Sequence, residues 1–133
     1  MSSPFRPSGI YAAQWLPIDS TGRLDRAALA THIAFEKAAG ITGILGLGST
    51  GEFPHFSPDE RKVALVAVAE LAAPLPVIAN ITDLRPKVAI ELGRWLERRG
   101  HTVALDEGSL AVAGGNHFRR LDPGARCDLV VVL

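Results

Sequence analysis

Uncharged apolar runs and amphipathic stretches alternate three times along the first hundred residues of this chain, at a repeat of roughly 30 residues. Ile10 to Leu16 is the first run, ended by Pro17 and by the turn Asp19-Ser20-Thr21-Gly22. Asp25 can cap a helix that continues to about Ala39, with Leu29 and Ile33 on one face and Gly40 as the stop. Ile41 to Leu47 is the second run and carries no charge, as a strand covered on both faces should. Ser57-Pro58-Asp59-Glu60 then opens a second helix, reaching about Leu71. Its serine cap, first-turn proline and two acidic residues form a capping box set against the positive helix end. Pro74 and Pro76 bracket the turn into a third run, Val77 to Asn80. A third helix from about Pro86 to Arg99 sets Val88, Leu92 and Trp95 on one face, and Gly100 ends it. Such alternation predicts right-handed crossovers between parallel strands, an α/β fold.

Beyond Gly100 the regularity fails. His101 to Leu105 reads as a fourth strand, yet no helix follows: Glu107-Gly108-Ser109, Gly114-Gly115 and Asp122-Pro123-Gly124 are closely spaced breakers. Leu129 to Leu133 is strongly strand-like. Residues 1–100 and 101–133 are therefore read as two differently organised parts.

Composition excludes several function classes. At 133 residues and 47% apolar content the chain has one ordinary domain's length and can bury a core. Its 14 basic and 14 acidic residues cancel, so no broad positive field favours nucleic acid or a membrane surface. Cys127 is the one cysteine, which leaves no internal disulfide and no CxxC zinc pair. Met1 to Gly9 is polar and proline-containing, unlike a cleavable signal, and no uncharged apolar stretch reaches the ~18 residues of a membrane span. A cytoplasmic protein is expected. His32, His55, His101 and His117 show no metal-ligand spacing, so no metal is expected, though His55 lies where it could face a substrate. Arg98-Arg99 and Arg119-Arg120 read as solvated pairs, and Trp15 and Trp95 as core.

The stretch that carries chemistry is Gly46-Leu47-Gly48-Ser49-Thr50-Gly51-Glu52-Phe53, between the second run and the second helix. A strand ending in glycines and hydroxyls, then a loop, then a helix is how α/β proteins build small-anion sites. Glycines admit a ligand to the backbone and leave N–H groups to donate, while Ser49 and Thr50 add two hydroxyls. The other reading is a glycine-rich turn with no ligand. No lysine follows the last glycine, so this is not a phosphate-binding Walker loop, and the dinucleotide fingerprint is incomplete. Nor is G-S-T-G the G-x-S-x-G of a hydrolase nucleophile.

These residues also carry a family likeness. Gly48-Ser49-Thr50-Gly51-Glu52 resembles the G-[ST]-T-G-E motif of the dihydrodipicolinate synthase and N-acetylneuraminate lyase family, pyruvate-dependent class I aldolases on a (β/α)8 barrel. Phe56-Ser57-Pro58-Asp59-Glu60-Arg61 is similar to that family's next helix start. Pro17, Asp19, Gly22 and Leu24-Asp25 resemble its first strand and helix entry, Pro76 to Ala79 its third strand, and Ala89 to Leu92 its third helix. The resemblance implies a partial (β/α)8 barrel of three to four βα units with a divergent C-terminal tail. It implies that Ser49, Thr50 and Gly51 hold the carboxylate of pyruvate or another 2-oxo acid, with Ser49 able to join a proton relay. Glu52 would shape the loop.

The likeness also implies what is missing. The family forms a Schiff base on a lysine of its sixth strand and relays protons through a tyrosine after its fifth. Lys37, Lys62 and Lys87 all lie in or beside predicted helices among charged neighbours, and the only tyrosine, Tyr11, is on the first strand. None is an apolar-strand lysine whose desolvation would make it nucleophilic at neutral pH. The expectation is a truncated lyase-family member with no catalytic residue and no cofactor, inactive alone. The alternative is a non-catalytic half-barrel that binds a small carboxylate or a partner protein. A whole barrel takes ~250 residues, so the first strand would lack a closing neighbour, an open edge that favours a homo-oligomer. Leu121 to Val131 resembles, over a short stretch, a late strand of amidohydrolases, which points to a junction near Gly100.

Overall fold

The structure, a computed structural model, describes residues 8–99 together with the backbone of 102–105 and 129–132. The chain forms two compact units, one comprising Ser8–Val77 and the other built from Ile78 onward.

In the first unit, strand β1 (Tyr11–Ala13) pairs in parallel with β2 (Gly43–Gly46), in the register Tyr11↔Gly43, Ala12↔Ile44 and Ala13↔Leu45. β1 is shorter than the apolar run that contains it. Gln14 N–H still donates to Leu45 O at 2.9 Å, but the chain then leaves the ladder towards Pro17, which has no N–H to offer. Helix α1 (Arg26–Ala38) starts where its cap predicts: Asp25 accepts from Ala28 N–H at 3.0 Å. It ends before Gly40, whose φ of +93° lies in the left-handed region that glycine reaches most readily. Leu29 and Ile33 are its buried residues.

Helix α2 (Pro58–Ala72) shows the predicted capping box. Ser57 Oγ accepts from Glu60 N–H at 3.2 Å, and Glu60 Oε2 accepts from Ser57 N–H at 2.6 Å. Its buried face is mostly small, Ala64, Ala67, Val68 and Ala72 with Leu65. A Cβ on Gly46 would meet the side chains of Leu65 at 3.5 Å and of Val68 and Val77 at 3.6 Å, ordinary contact distances, so α2 covers this strand residue without crowding it. Lys37, expected to be a solvated face residue, instead donates to Leu71 O at 3.2 Å and Ala73 O at 2.7 Å. It satisfies carbonyls left over at the negative end of α2. Trp15 also departs from expectation: it is 47% exposed, edge-on to His32 with ring centroids 5.6 Å apart.

The turn into α1 is organised by one carboxylate. Asp19 Oδ1 accepts from Thr21 N–H at 2.8 Å, Thr21 Oγ1 at 2.6 Å and Arg23 N–H at 3.1 Å. These donors, the Thr21 hydroxyl foremost, favour the ionised form and hold its pKa below the ordinary 3.8. The folded value is the lower one, so the stabilisation is complete above 3.8 and fades as pH falls through the folded value. The thermal-midpoint advantage of the wild type over Asp19→Ala should therefore be constant near neutrality and shrink in acid below 3.8. An advantage that grows in acid would contradict this assignment.

β3 (Val77–Asn80) begins at the last residue of the first unit. In the second unit, α3 (Pro86–Arg98) buries Leu92, Gly93 and Leu96, while Val88 and Trp95 are half-buried. The Arg99 guanidinium lies 5.1 Å from the Trp95 ring centroid. β4 (Thr102–Leu105) and β5 (Leu129–Val132) both form, in the places the apolar runs predict. Their order is not the chain order. β5 pairs in parallel with β3 (Ala79↔Val130, Asn80↔Val131) and with β4 (Thr102↔Leu129 to Leu105↔Val132), so it stands between them. An uncharged run such as Leu129–Val132 is best placed as an inner strand with a neighbour on each side.

Candidate functional site

β2 delivers the chain into a tight bend that runs to α2. Leu47, completely buried, turns the backbone with φ +58°, and Glu52 turns it again with φ +53°. Left-handed backbone at a non-glycine residue costs about 1–2 kcal/mol, and two such residues bracket Gly48–Gly51. Gly51 N–H donates to Gly48 O and Glu52 N–H to Ser49 O, each at 3.0 Å. A short 3-10 turn, Phe53–His55, follows, with His55 N–H on Glu52 O at 3.0 Å. The Arg61 guanidinium, buried in α2, lies 5.2 Å from the Phe53 ring centroid and ties the end of the bend to the helix.

Within this frame Ser49 and Thr50 are exposed and adjacent, at the carboxyl end of β2. Among the described residues neither their hydroxyls nor their N–H groups have a protein partner. Four donors are thus left on one fixed stretch of backbone, which suits a carboxylate. Gly51 has a different role from the one expected. Its N–H is consumed inside the bend, so it does not donate outward. It is buried, and a Cβ there would sit 3.0 Å from Gln14 O, 3.3 Å from Leu47 Cα and 3.4 Å from Gly48 O. Only glycine allows the bend to close against the chain leaving β1. Glu52 shapes the loop through its backbone, with an exposed side chain that makes no capping bond. His55 is exposed.

Two residues to which the sequence reading gave no role at the site support the bend. Arg61 ends the motif that resembles the family's helix start and directly follows the capping-box Glu60, but nothing in that motif shows that it meets Phe53. Gln14 is fully buried where the apolar run predicted a bland strand residue. Its Nε2 donates to Trp15 O at 2.8 Å, while Oε1 is buried with no partner among the described residues.

None of the lysines is placed as a nucleophile among the described residues. Lys37 holds the α2 carbonyls, Lys62 lies 3.4 Å from Asp59, and Lys87 is exposed. Tyr11 lies on β1, and partial burial raises the pKa of its phenol. Among the described residues no group of three or more metal-ligating side chains converges, and no helix is long and apolar enough to cross a membrane.

Residues 6–106 match the model of the dihydrodipicolinate synthetase family. The 4-hydroxy-tetrahydrodipicolinate synthase of Bartonella quintana (strain Toulouse) is 32% identical over 98 residues, covering 73% of this chain and 33% of the relative. The chain thus spans about a third of the length of the curated relatives it matches. Among solved structures, YagE, a prophage protein of the dihydrodipicolinic acid synthase family from E. coli K12 in complex with pyruvate, aligns with TM-score 0.66 and 25% identity. That alignment covers 74% of this chain and 34% of YagE. The N-acetylneuraminate lyase of Proteus mirabilis aligns with TM-score 0.66 and 29% identity, over 70% of this chain and 32% of the lyase. The fold class is accordingly α/β, a partial (β/α)8 barrel. By these matches, and by the strand–bend–helix that carries Gly48-Ser49-Thr50-Gly51-Glu52, the chain belongs to the dihydrodipicolinate synthetase family of lyases.

Proposed function

We propose that the bend at Ser49, Thr50 and Gly51 binds the carboxylate of a small 2-oxo acid such as pyruvate, and that this chain by itself performs no Schiff-base chemistry. The observation that carries the reading is the pair of exposed, unpartnered hydroxyls of Ser49 and Thr50, with their free N–H groups, at the carboxyl end of β2. Barrel enzymes place their chemistry at that end of their strands. The pyruvate complex of YagE supports the choice of ligand.

A pyruvate lyase of this class must present an amine that attacks the 2-oxo carbon, loses water and acidifies the neighbouring carbon. Lys37 is committed to helix carbonyls and Lys62 to a carboxylate, so neither amine is desolvated and free. Residues 1–100 then carry the barrel-like, ligand-binding part and residues 101–133 a distinct tail, in a cytoplasmic protein that needs no cofactor for this binding.

Borohydride reduction in the presence of pyruvate tests both halves of the reading. Expected are no mass increase on any lysine and a pyruvate-dependent rise in the thermal midpoint that acetone, which lacks the carboxylate, does not produce. A reduced adduct would overturn the absence of Schiff-base chemistry. Equal midpoints with and without pyruvate would remove the binding site.

A further inference from the structure

Gln14 sets an amide into the otherwise apolar run 10–16, at the level where β1 and β2 both end. Its N–H donates to Leu45 O at 2.9 Å and carries the ladder one bond beyond Ala13. One step further in the same register, Gln14 stands opposite Gly46. A Cβ on Gly46 would point at Leu65 and Val68 of α2, so the Gln14 side chain enters the same layer between strands and helices. There it is completely buried. Nε2 donates to Trp15 O at 2.8 Å, while Oε1 meets no donor among the described residues.

Stability alone does not account for an amide in this place. A buried acceptor without a donor loses its hydration and regains nothing, and the single bond made by Nε2 does little more than offset that loss. Leucine or methionine, of similar volume, would fill the apolar layer without either group. What the amide does is local. By clasping the Trp15 carbonyl it closes a ring around the Gln14–Trp15 peptide, where the chain leaves the ladder towards Pro17. The carbonyl of that peptide, Gln14 O, lies 3.0 Å from the place a Cβ of Gly51 would take. Gly51 N–H in turn closes the bend on Gly48 O at 3.0 Å, with Ser49 and Thr50 between the two. Clasp, carbonyl, Gly51 and hydroxyl pair follow one another in contact, all within the first unit.

We propose, on the assignment of the carboxylate site made above, that Gln14 is a positioning residue for that site. Its side-chain amide sets the Gln14 carbonyl as the stop against which Gly51 seats. Through Gly51 it holds the Ser49 and Thr50 donors at the spacing a carboxylate requires, a placement that must be kept to within about 0.5 Å. The unmet Oε1 is stability given up for that placement.

The full chain as Gln14→Leu and as Gln14→Met tests this beside the wild type, by thermal midpoint without ligand and by titration calorimetry with pyruvate. Both variants are expected to keep or exceed the wild-type midpoint, yet to bind pyruvate roughly three- to thirtyfold more weakly. Val63→Ala, at an exposed residue of α2, should change neither quantity. Wild-type affinity in both Gln14 variants would overturn the role of Gln14 and leave the Ser49–Thr50 site standing. A lowered midpoint in both would overturn it as well, because the amide would then be holding the fold rather than the site. A wild type that gives no heat and no midpoint shift with pyruvate would remove the site itself, and the positioning role with it.

Discussion

Gly43→Ala is expected to destabilise the chain by about 1–3 kcal/mol, the range of overpacking substitutions. Gly43 lies directly opposite Tyr11 in the β1–β2 ladder. A Cβ on Gly43 would enter the space of the Tyr11 ring, at 2.6 Å from both Cδ1 and Cζ and closer still to Cε1. The ring covers the glycine as a side chain normally covers its cross-strand partner, so the added methyl must drive it off the sheet. Tyr11→Ala should cost stability by itself through lost burial, yet in its background Gly43→Ala should become nearly harmless. Denaturant midpoints for the four proteins of this cycle give the coupling directly, expected to be about 1 kcal/mol or more. Additive penalties would mean that the ring does not rest on Gly43.

Replacing Ser49 and Thr50 together by alanine is expected to abolish pyruvate-dependent stabilisation while leaving the unliganded midpoint unchanged. Both side chains are exposed and without protein partners among the described residues, so the unliganded fold loses nothing that either hydroxyl was holding. Hydrogen bonds to a charged acceptor contribute ~1.5–3 kcal/mol each. Loss of two should weaken pyruvate binding by roughly two to four orders of magnitude. Gly51→Ala makes the contrasting case. Its methyl would press on the Gln14 carbonyl and on Leu47 Cα, backbone that cannot swing aside, so stability and binding should fall together. Titration calorimetry on the three proteins separates the two behaviours. Undiminished pyruvate affinity in the Ser49→Ala/Thr50→Ala protein would remove the site assignment.

Much of this is legible in the sequence. The capping box at Ser57 and Glu60, the Asp25 cap and the Gly40 stop are local devices, each satisfied within a few residues, and each forms where its spelling places it. Val77–Asn80 was legible to the residue because prolines and a polar end bound it. The place of the hydroxyl pair, in a glycine-rich bend between the second strand and a capped helix, was legible too, whereas the exposure of the two hydroxyls depends on what packs around the bend. What stayed hidden depends on partners distant in sequence. Lys37 looked solvated because nothing near it in the chain shows that the α2 carbonyls lie within its reach. Trp15 looked like core because an apolar run does not reveal which of its faces is covered. Gly51 reads as a donor in the sequence, but in the fold its N–H serves Gly48 O and the Gln14 carbonyl lies where a Cβ would point.

Taken alone, the order of residues determined the alternation of strands and helices, the ends of those helices and the presence of an oxygen-rich bend after the second strand. Propensity, capping and hydrophobic period act within one or two turns of chain, so they need no knowledge of the rest. Only the tertiary structure decided that β5 takes the place beside β3, that Arg61 and Gln14 stand behind the bend, and that the bend's free donors are Ser49 and Thr50 rather than Gly51. Those outcomes turn on which surfaces meet across long stretches of chain, and such meetings are set by packing and by where each backbone N–H finds its acceptor.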